Sequence, residues 1–260
     1  MSRLPIAAVM CLLTTLIVSG CAPKPSSNSE TLAPETTPET AVSTSDLAAP
    51  NTDLGQGFTS LHYAAGNATD MITLLIDKGA EVDARDVRGF TPLRFAAGSS
   101  NNPEVLRTLI RAGANVNATS LNEGTPLFSA AFSSKNPEIL TVLINAGATV
   151  NVQNLDGSTP LSMAARFNQN PEIVRVLINA GAKLETRDSS GNTPLMEGVG
   201  YGGSDPEILT VLINAGAEVN ARNNQGRTAL DMALSISRYD NTKKIELLRA
   251  AGAKKSKDLP

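Results

Sequence analysis

The sequence predicts an all-α repeat solenoid, in which short helix pairs stack in a row. The segment Val-Leu-Ile-Asn-Ala-Gly-Ala occurs three times, beginning at Val142, Val176 and Val211. A repeat length of about 33 residues is typical of stacked units that bury their apolar faces only against their neighbours. A second motif has the same period: a threonine two residues before a leucine stands at positions 59, 91, 125, 159, 193 and 228.

The first half of one copy predicts a short helix. Asp156-Gly157 is a turn signal. Thr159 is a suitable N-cap, and Pro160 fits the first helical position, where no N–H bond is needed. Apolar residues at positions 161, 164 and 165 have the i, i+3, i+4 spacing of a helix. Since two of them are alanines, this helix has a small-residue face that allows close approach.

The second half of the copy predicts another helix. Asn170 is its cap, Pro171 its first residue, and Glu172 lies favourably near the positive end of its dipole. Apolar side chains follow at positions 173, 174, 176, 177 and 178. A glycine then ends the helix in the left-handed conformation. We assign this structural role to the glycine of every copy: Gly79, Gly113, Gly147, Gly181, Gly216 and Gly252.

These motifs resemble the ankyrin repeat, with Thr-Pro-Leu opening the first helix, Gly-Ala closing the second, and an Asp-x-x-Gly turn between copies. The resemblance covers about residues 54–255 and implies a curved array of helix pairs with projecting β-hairpin fingers. Most copies carry one extra residue before the second helix, in Asn-Pro-Glu. The end copies look like caps, and the last has the charged run Lys243–Glu246. Six copies are predicted, at about 54–85, 86–119, 120–153, 154–187, 188–222 and 223–255, before a tail at 256–260.

The N-terminus predicts a bacterial lipoprotein signal peptide over residues 1–20. Arg3 precedes an apolar run from Ile6 to Val18, which is too short to span a bilayer. The following Leu-Ile-Val-Ser-Gly-Cys resembles a lipobox, and this resemblance implies a lipid on Cys21; an ordinary secretory signal is the alternative. Because Ala22 follows, we expect the inner leaflet of the outer membrane, facing the periplasm.

Residues 21–53 predict a disordered tether behind the lipid. Their composition is rich in Ser, Thr, Pro, Ala and Glu, with no apolar period that could offset the entropy of ordering. The only other cysteine, Cys11, lies within the signal peptide. With Cys21 modified, the mature chain has no thiol for a disulfide, a nucleophile or a metal site.

A possible cofactor motif is found in the fifth copy. Gly198, Gly200 and Gly203 have the spacing G-x-G-x-x-G, and Glu218 follows about 20 residues later. That motif needs a strand immediately upstream, but a helix start with an internal proline stands there, so we predict no nucleotide site and no cofactor. Two interpretations of the glycines stay open: a frayed spot without consequence, or a place where a partner approaches the backbone.

No catalytic or metal-binding set is predicted. His62 is the only histidine. It falls at the Thr-Pro-Leu-His position of the family, which implies a structural side chain bonded to the neighbouring threonine and backbone. A catalytic triad or a multi-histidine metal site would need partners that the chain does not have.

Partner contacts are predicted on two parts of the array. Large rings just after the Ala-Ala positions could line the groove as anchors, or could pack over the longer loop between helices. The finger tips supply several arginines that could bind an acidic protein patch or could form a solvated rim. The predicted set is Phe132, Phe167 and Tyr201 for the rings, and Arg85, Arg88, Phe90, Leu121, Asn122, Leu155, Asp156, Arg187, Arg222 and Arg227 for the tips.

The sequence therefore predicts a monomeric, non-enzymatic module that binds a protein of unknown identity. The membrane is contacted only through the N-terminal lipid. A net charge of −3 and the absence of a basic aromatic motif give no reason to expect nucleic acid. An inhibitor or immunity protein against a periplasmic enzyme or toxin is the alternative, and an enzyme of unknown reaction is the least favoured one.

Overall fold

Six consecutive helix pairs form the fold in a computed structural model that describes residues 49–66, 68–200, 205–236 and 240–259. These residues all belong to one compact unit, Val42–Pro260. The signal peptide, Cys21, most of the predicted tether and Tyr201 lie outside the described residues. The helices are α1 (Ser60–Ala64), α2 (Thr69–Asp77), α3 (Pro92–Ser99), α4 (Pro103–Arg111), α5 (Pro126–Ser133), α6 (Pro137–Asn145), α7 (Pro160–Phe167), α8 (Pro171–Asn179), α9 (Pro194–Gly200), α10 (Pro206–Asn214), α11 (Ala229–Ser235) and α12 (Thr242–Ala250), followed by a 3₁₀ turn at Ser256–Asp258.

The core runs through the whole stack without a break. The odd-numbered helices are the inner ones; each packs against the next inner helix and against its own even-numbered outer helix. No single pair could bury its apolar face alone, which is why the sequence repeats rather than closes. The predicted solenoid is confirmed. Its core contains the leucine that follows each cap and the alanine pairs one turn later, among them Leu61, Leu93, Leu127, Leu161, Leu195, Ala96, Ala97, Ala130, Ala131, Ala164 and Ala165.

The recurring Asn-Pro-Glu forms a cap that also ties neighbouring repeats. The side chains of Asn102, Asn136, Asn170 and Asp205 each accept a hydrogen bond from the backbone N–H two residues later, at 2.8–3.0 Å. Such a cap contributes about 1 kcal/mol. Asn136 and Asn170 also donate to a backbone carbonyl of the preceding repeat. The extra residue therefore positions a side chain that stabilises two repeats.

A second set of side chains joins repeats at the ends of the outer helices. There the six structural glycines adopt φ values between +83° and +95°, the left-handed region that glycine favours. The side-chain amides of Asn117 and Asn151 each donate to one of these glycine carbonyls, in the next repeat. Each amide also accepts a bond from the backbone N–H of the residue two positions after that glycine. Asp83 and Glu185 occupy the same position and can only accept.

The first repeat begins earlier than residue 54. Asn51 makes the same pair of bonds, to the Gly79 carbonyl and the Glu81 N–H, although it lies in the segment predicted as tether. Asp53 accepts N–H bonds from Gly55 and Gly57. Contacts of the array therefore extend at least to Asn51.

The fingers are shorter than the predicted β-hairpins. In the described ranges the chain has no extended strand, only an isolated bridge between Asp53 and Thr59. Each finger ends in a four-residue turn, which from the second finger onward is closed by an N–H to carbonyl bond such as that from Gly89 to Asp86. In the first finger the Gly57 N–H bonds to the Asp53 carboxylate instead. We call these turns the tips and number them along the chain: tip 1 is 54–57, tip 2 is 86–89, tip 3 is 120–123, tip 4 is 154–157, tip 5 is 188–191 and tip 6 is 223–226.

Candidate protein-binding surface

Three neighbouring tips present apolar side chains to solvent. Val87, Leu121 and Leu155 are the second residues of tips 2, 3 and 4, and they are 58%, 73% and 65% exposed. They are the most exposed large apolar side chains among the described residues. Tips 5 and 6 have Ser189 and Asn224 at this position. The apolar row therefore covers the middle of the finger edge and stops after tip 4.

Most of the predicted tip arginines are used within the array. Arg85 donates to the Thr119 carbonyl of the next finger at 2.6 Å, and Arg187 donates to the Arg222 carbonyl. Arg222 in turn reaches the carbonyls of Ser256 and Leu259. These side chains form a ladder parallel to the stack, in which Gln153 also takes part through the Arg187 carbonyl. The predicted arginines of the ladder therefore stabilise the array itself, and their role in binding stays a prediction.

The other predicted residues of tip 2 and tip 6 also have internal partners. Arg88 forms an ion pair with Asp86 at 2.8 Å, and its guanidinium lies 4.4 Å from the ring centre of Phe90. Arg227 donates to the Asp231 carbonyl and the Ser235 hydroxyl. By contrast, Leu121 and Leu155 have no comparable engagement and stand out into solvent.

His62 lies buried, where the family resemblance implies a structural side chain. Its Nδ1 accepts the Thr59 N–H at 3.2 Å, so its Nε2 carries the proton and donates to the Phe90 carbonyl at 2.9 Å. Burial lowers the pKa of His62 below its ordinary value of 6.5. The neutral ring therefore connects the first repeat to the second finger.

Arg94 occupies the same position one repeat later and makes the equivalent bond. Its guanidinium donates to the Gly124 carbonyl and the Ser120 hydroxyl, and lies 4.0 Å from the Phe90 ring centre. Burial lowers the pKa of Arg94 to about 10. The sequence does not mark this residue as functional, because an arginine in the histidine position gives no local sign that it is buried.

The two predicted rings that the structure describes lie together at the far end of the inner helices. The half-buried rings of Phe132 and Phe167 are 4.9 Å apart between centres, and Arg166 lies 4.8 Å from the Phe167 centre. Arg166 also pairs with Glu197 at 3.3 Å. These side chains span the third to fifth repeats. They form an apolar patch with a charged edge at this end of the inner helices.

Glu197 is a buried carboxylate that sequence reasoning did not single out. It accepts a bond from Asn192 at 2.9 Å in addition to its contact with Arg166. Burial raises its pKa, while the charge of Arg166 opposes that shift. Other copies carry an aromatic, Met or Ser at this position, so only comparison between copies would have marked it. In the parts of the chain that are described, no group of three or more His, Cys, Asp or Glu side chains could hold a metal ion.

Two family models match the chain. The model for ankyrin repeats (3 copies) matches residues 37–120 and 127–223, more than half of the 260 residues. The chain is an ankyrin-repeat protein. A second model, for ankyrin repeats (many copies), matches residues 97–144. The first match begins at residue 37, inside the segment predicted as tether. A comparison with curated proteins gave no significant match.

The first glycine of the G-x-G-x-x-G motif, Gly198, has a packing role in this ankyrin array. A Cβ on Gly198 would lie 3.2 Å from Leu209 Cδ1 and 3.5 Å from the Ala165 carbonyl oxygen, so a small residue lets α9 lie close to its neighbours. Gly200 ends α9. Residues 201–204 lie outside the described ranges, so both interpretations of that loop stay predictions.

Lys244 completes this part of the ankyrin array. It is 3% exposed, and its Nζ donates to the Gly198 carbonyl at 2.9 Å. The cation thus lies at the negative end of α9, where it is stabilised by the helix dipole. Burial lowers the pKa of Lys244, and Asp205 opposes this shift. The predicted charged cap therefore contains a buried residue, which a run of charges does not reveal.

Proposed function

We propose that this ankyrin array is a non-enzymatic protein-binding module held at the bacterial envelope by a lipid on Cys21. Ankyrin repeats are general protein–protein interaction modules, so binding of a protein is the family's ordinary role. The observation that carries the proposal is the apolar row of Val87, Leu121 and Leu155 on adjacent tips. Solvent-exposed apolar side chains grouped in this way are typical of interaction sites.

The groove offers a second contact area for the same partner. Phe132 and Phe167 lie on the same two repeats as Leu121 and Leu155, at the other end of α5 and α7. Each of these helices has eight residues and is therefore about 12 Å long. One protein surface of ordinary size would cover both the tips and the rings.

The anchor rests on the sequence of the N-terminus. The apolar run ends in Ser19-Gly20-Cys21, and no helix among the described residues is long and apolar enough to cross a membrane. Replacement of Cys21 by Ala should release the chain from the membrane fraction and abolish its labelling with palmitate. A Cys21→Ala variant that still fractionates with membranes and still labels would refute the lipid anchor.

Crosslinking in the intact envelope, followed by mass spectrometry, tests the binding role. We expect one dominant protein partner, with capture reduced by Phe132→Ala combined with Phe167→Ala. Leu74→Ala on α2 is the matched control, because that leucine is exposed but lies on an outer helix. Thermal unfolding should show that each variant is folded. Capture of no protein, or capture that neither ring affects, would count against the proposal.

A further inference from the structure

The contacts between neighbouring tips are not equal. We call each such contact a seam and number the seams along the chain. In every seam the second residue of one tip donates its N–H to the third residue of the tip before it. The donor-to-acceptor distances are 2.9, 3.1, 3.5, 2.9 and 3.0 Å for seams one to five. The third seam, from Leu155 to Asn122, is at the limit of a hydrogen bond.

The third seam also lacks the side-chain bonds that reinforce the others. His62 spans the first seam, Arg85 and Arg94 the second, Gln153 the fourth and Arg187 the fifth. Between residues 119–125 and 153–159, all of which are described, the 3.5 Å bond is the only hydrogen bond. The inner helices beneath this seam, α5 and α7, still pack against each other, and their leucines Leu127 and Leu161 are buried.

Three residues of the third finger explain the difference. Thr119 stands at the ladder position and is too short to reach the next finger. Ser120 stands where tips 2, 4, 5 and 6 begin with an Asp or Asn whose side chain accepts backbone N–H bonds within the tip, as Asp188 does from Ser190 and Asn192. Glu123 has φ +60° where every other tip has a glycine. In the third finger the glycine is residue 124, one position after the end of the tip.

The side chain of Arg94 explains why the glycine of the third finger is found at position 124. A Cβ on Gly124 would lie 2.9 Å and 3.0 Å from the two terminal nitrogens of that guanidinium. The glycine therefore makes room for Arg94, and Glu123 is left in a left-handed conformation that disfavours side chains. At the equivalent position, a Cβ on Gly157 would lie 3.2 Å from Ser189 N. A side chain there keeps neighbouring tips apart, which fits the long bond of the third seam.

The residues on either side of the third seam combine apolar exposure with negative charge. Leu121 and Leu155 are its two exposed leucines. Glu123 and Asp156 are exposed beside them, and within the described residues neither takes part in an ion pair. Arg88 is paired with Asp86 on tip 2, and the nearby Arg85 and Arg94 are bonded to the Thr119 and Gly124 carbonyls. Glu123 and Asp156 are therefore the charged side chains of tips 3 and 4 that face solvent.

We propose that the third seam is the principal docking site and takes an extended, positively charged segment of a protein partner. This inference rests on the proposed binding function and specifies its site. Stacked helix pairs repeat at about 8–10 Å. A polyproline II segment rises about 3.1 Å per residue with three residues per turn. Aliphatic side chains at every third residue would therefore meet successive tips, and Lys or Arg between them would face Glu123 and Asp156.

A set of model peptides tests this chemistry on the full-length chain. The probe is fluorescently labelled (Lys-Pro-Leu)₄, and its binding is followed by anisotropy. Two peptides of the same spacing serve as controls: (Glu-Pro-Leu)₄ reverses the charge, and (Lys-Pro-Ser)₄ removes the aliphatic groups. We expect the probe to bind about tenfold more tightly than either control. Added salt should weaken the probe's binding, because the charges are exposed.

Variants locate the site. Leu121→Ser combined with Leu155→Ser should weaken binding of (Lys-Pro-Leu)₄ by about tenfold or more. The matched control, Leu74→Ser with Leu234→Ser, changes two leucines of 43% and 40% exposure outside the tips and should change binding less than about twofold. Equal losses in both pairs, tighter binding of (Glu-Pro-Leu)₄, or no binding of the probe at millimolar concentration would overturn the proposal. So would a dimer in sedimentation that the tip variant dissociates, since the occupant would then be a second copy.

Photo-crosslinking separates this proposal from the wider function. A photoreactive residue is placed at Leu121 or Leu155, and in parallel at Met163 on the inner helix α7 or Gln225 on tip 6. Crosslinks at the seam together with the expected peptide preference support the proposal. A partner crosslinked only from Met163 or Gln225 would overturn the seam and leave the binding function standing. No crosslink at any position would count against the binding function itself, and the peptide assay would still decide whether the seam has the inferred chemistry.

Discussion

The second and third seams of the finger edge both rest on inner helices that pack against each other, and yet the two seams differ in their polar contacts. At the second seam, Arg85 and Arg94 reach across to the third finger, and the amide bond is 3.1 Å. At the third seam the amide bond is 3.5 Å, and it is the only hydrogen bond between the two described tips. The leucines beneath, such as Leu127 and Leu161, are buried in both places. The helical core therefore holds the repeats together at both seams, and the hydrogen bonds between tips differ without breaking the stack.

The largest effect is expected when a tightly joined tip is made like tip 3. Gly157 has φ +74°, and a Cβ there would meet the backbone of tip 5 at 3.2 Å. Gly157→Ala should lower the free energy of unfolding by about 2–3 kcal/mol, from the left-handed conformation and the contact together. Gly226→Ala is the matched control, since φ is +72° but nothing lies within 4 Å. It should cost about 1 kcal/mol in denaturant unfolding. Equal losses would show that the close contact between tips has no effect.

The reverse change should stabilise the third finger. Glu123→Gly relieves the left-handed strain of about 1–2 kcal/mol but adds about 0.5–1 kcal/mol of chain entropy to the unfolded state. We expect a net gain of about 0.5–1 kcal/mol in urea unfolding. Glu123→Ala is the matched control, because it removes the charge but keeps a Cβ. A loss of stability in Glu123→Gly would contradict the strain at tip 3.

The ladder can be shortened or extended by one member. Arg187→Ala removes the bonds to Gly191 and Arg222 and should cost about 1 kcal/mol. Thr119→Arg should add the missing member and gain about 0.5 kcal/mol, because an exposed side chain must be ordered to form it. Both effects are read from denaturation midpoints. If Thr119→Arg leaves both stability and the exchange rate of the Leu155 amide unchanged, the missing ladder side chain does not cause the looseness.

The smallest effect is the dependence of the first seam on pH. Burial lowers the pKa of His62, so the folded state favours the neutral ring. Its contribution is complete above the unfolded value of 6.5 and is lost as pH falls below it, because the unfolded state then binds the proton. Stability between pH 7 and pH 5 should therefore fall more steeply in the natural chain than in His62→Gln. Identical pH profiles would show that His62 does not bind its proton more weakly in the folded state.

Local rules account for much of this structure, and long-range contacts account for what they missed. The caps at Asn102 and Asn170 and the helix ends at the glycines follow from neighbours in sequence. The burial of Arg94 and Lys244 depends on residues 30 and 46 positions away. The ladder of arginines was predicted as a contact surface because a single sequence does not show what a long side chain reaches. The displaced glycine at position 124 was visible in the alignment of copies and is the signal that could have marked the third seam.

Amide hydrogen exchange, measured residue by residue with NMR, compares the seams directly. The N–H groups of Val87, Leu121, Leu155, Ser189 and Asn224 occupy one position in five copies, and each donates to the preceding tip. After correction for intrinsic rates, we expect the protection of Leu155 to be lower than that of the other four by about tenfold or more, which corresponds to about 1.4 kcal/mol in the opening free energy. Protection of Leu155 equal to that of Leu121 and Ser189 would contradict a loose third seam.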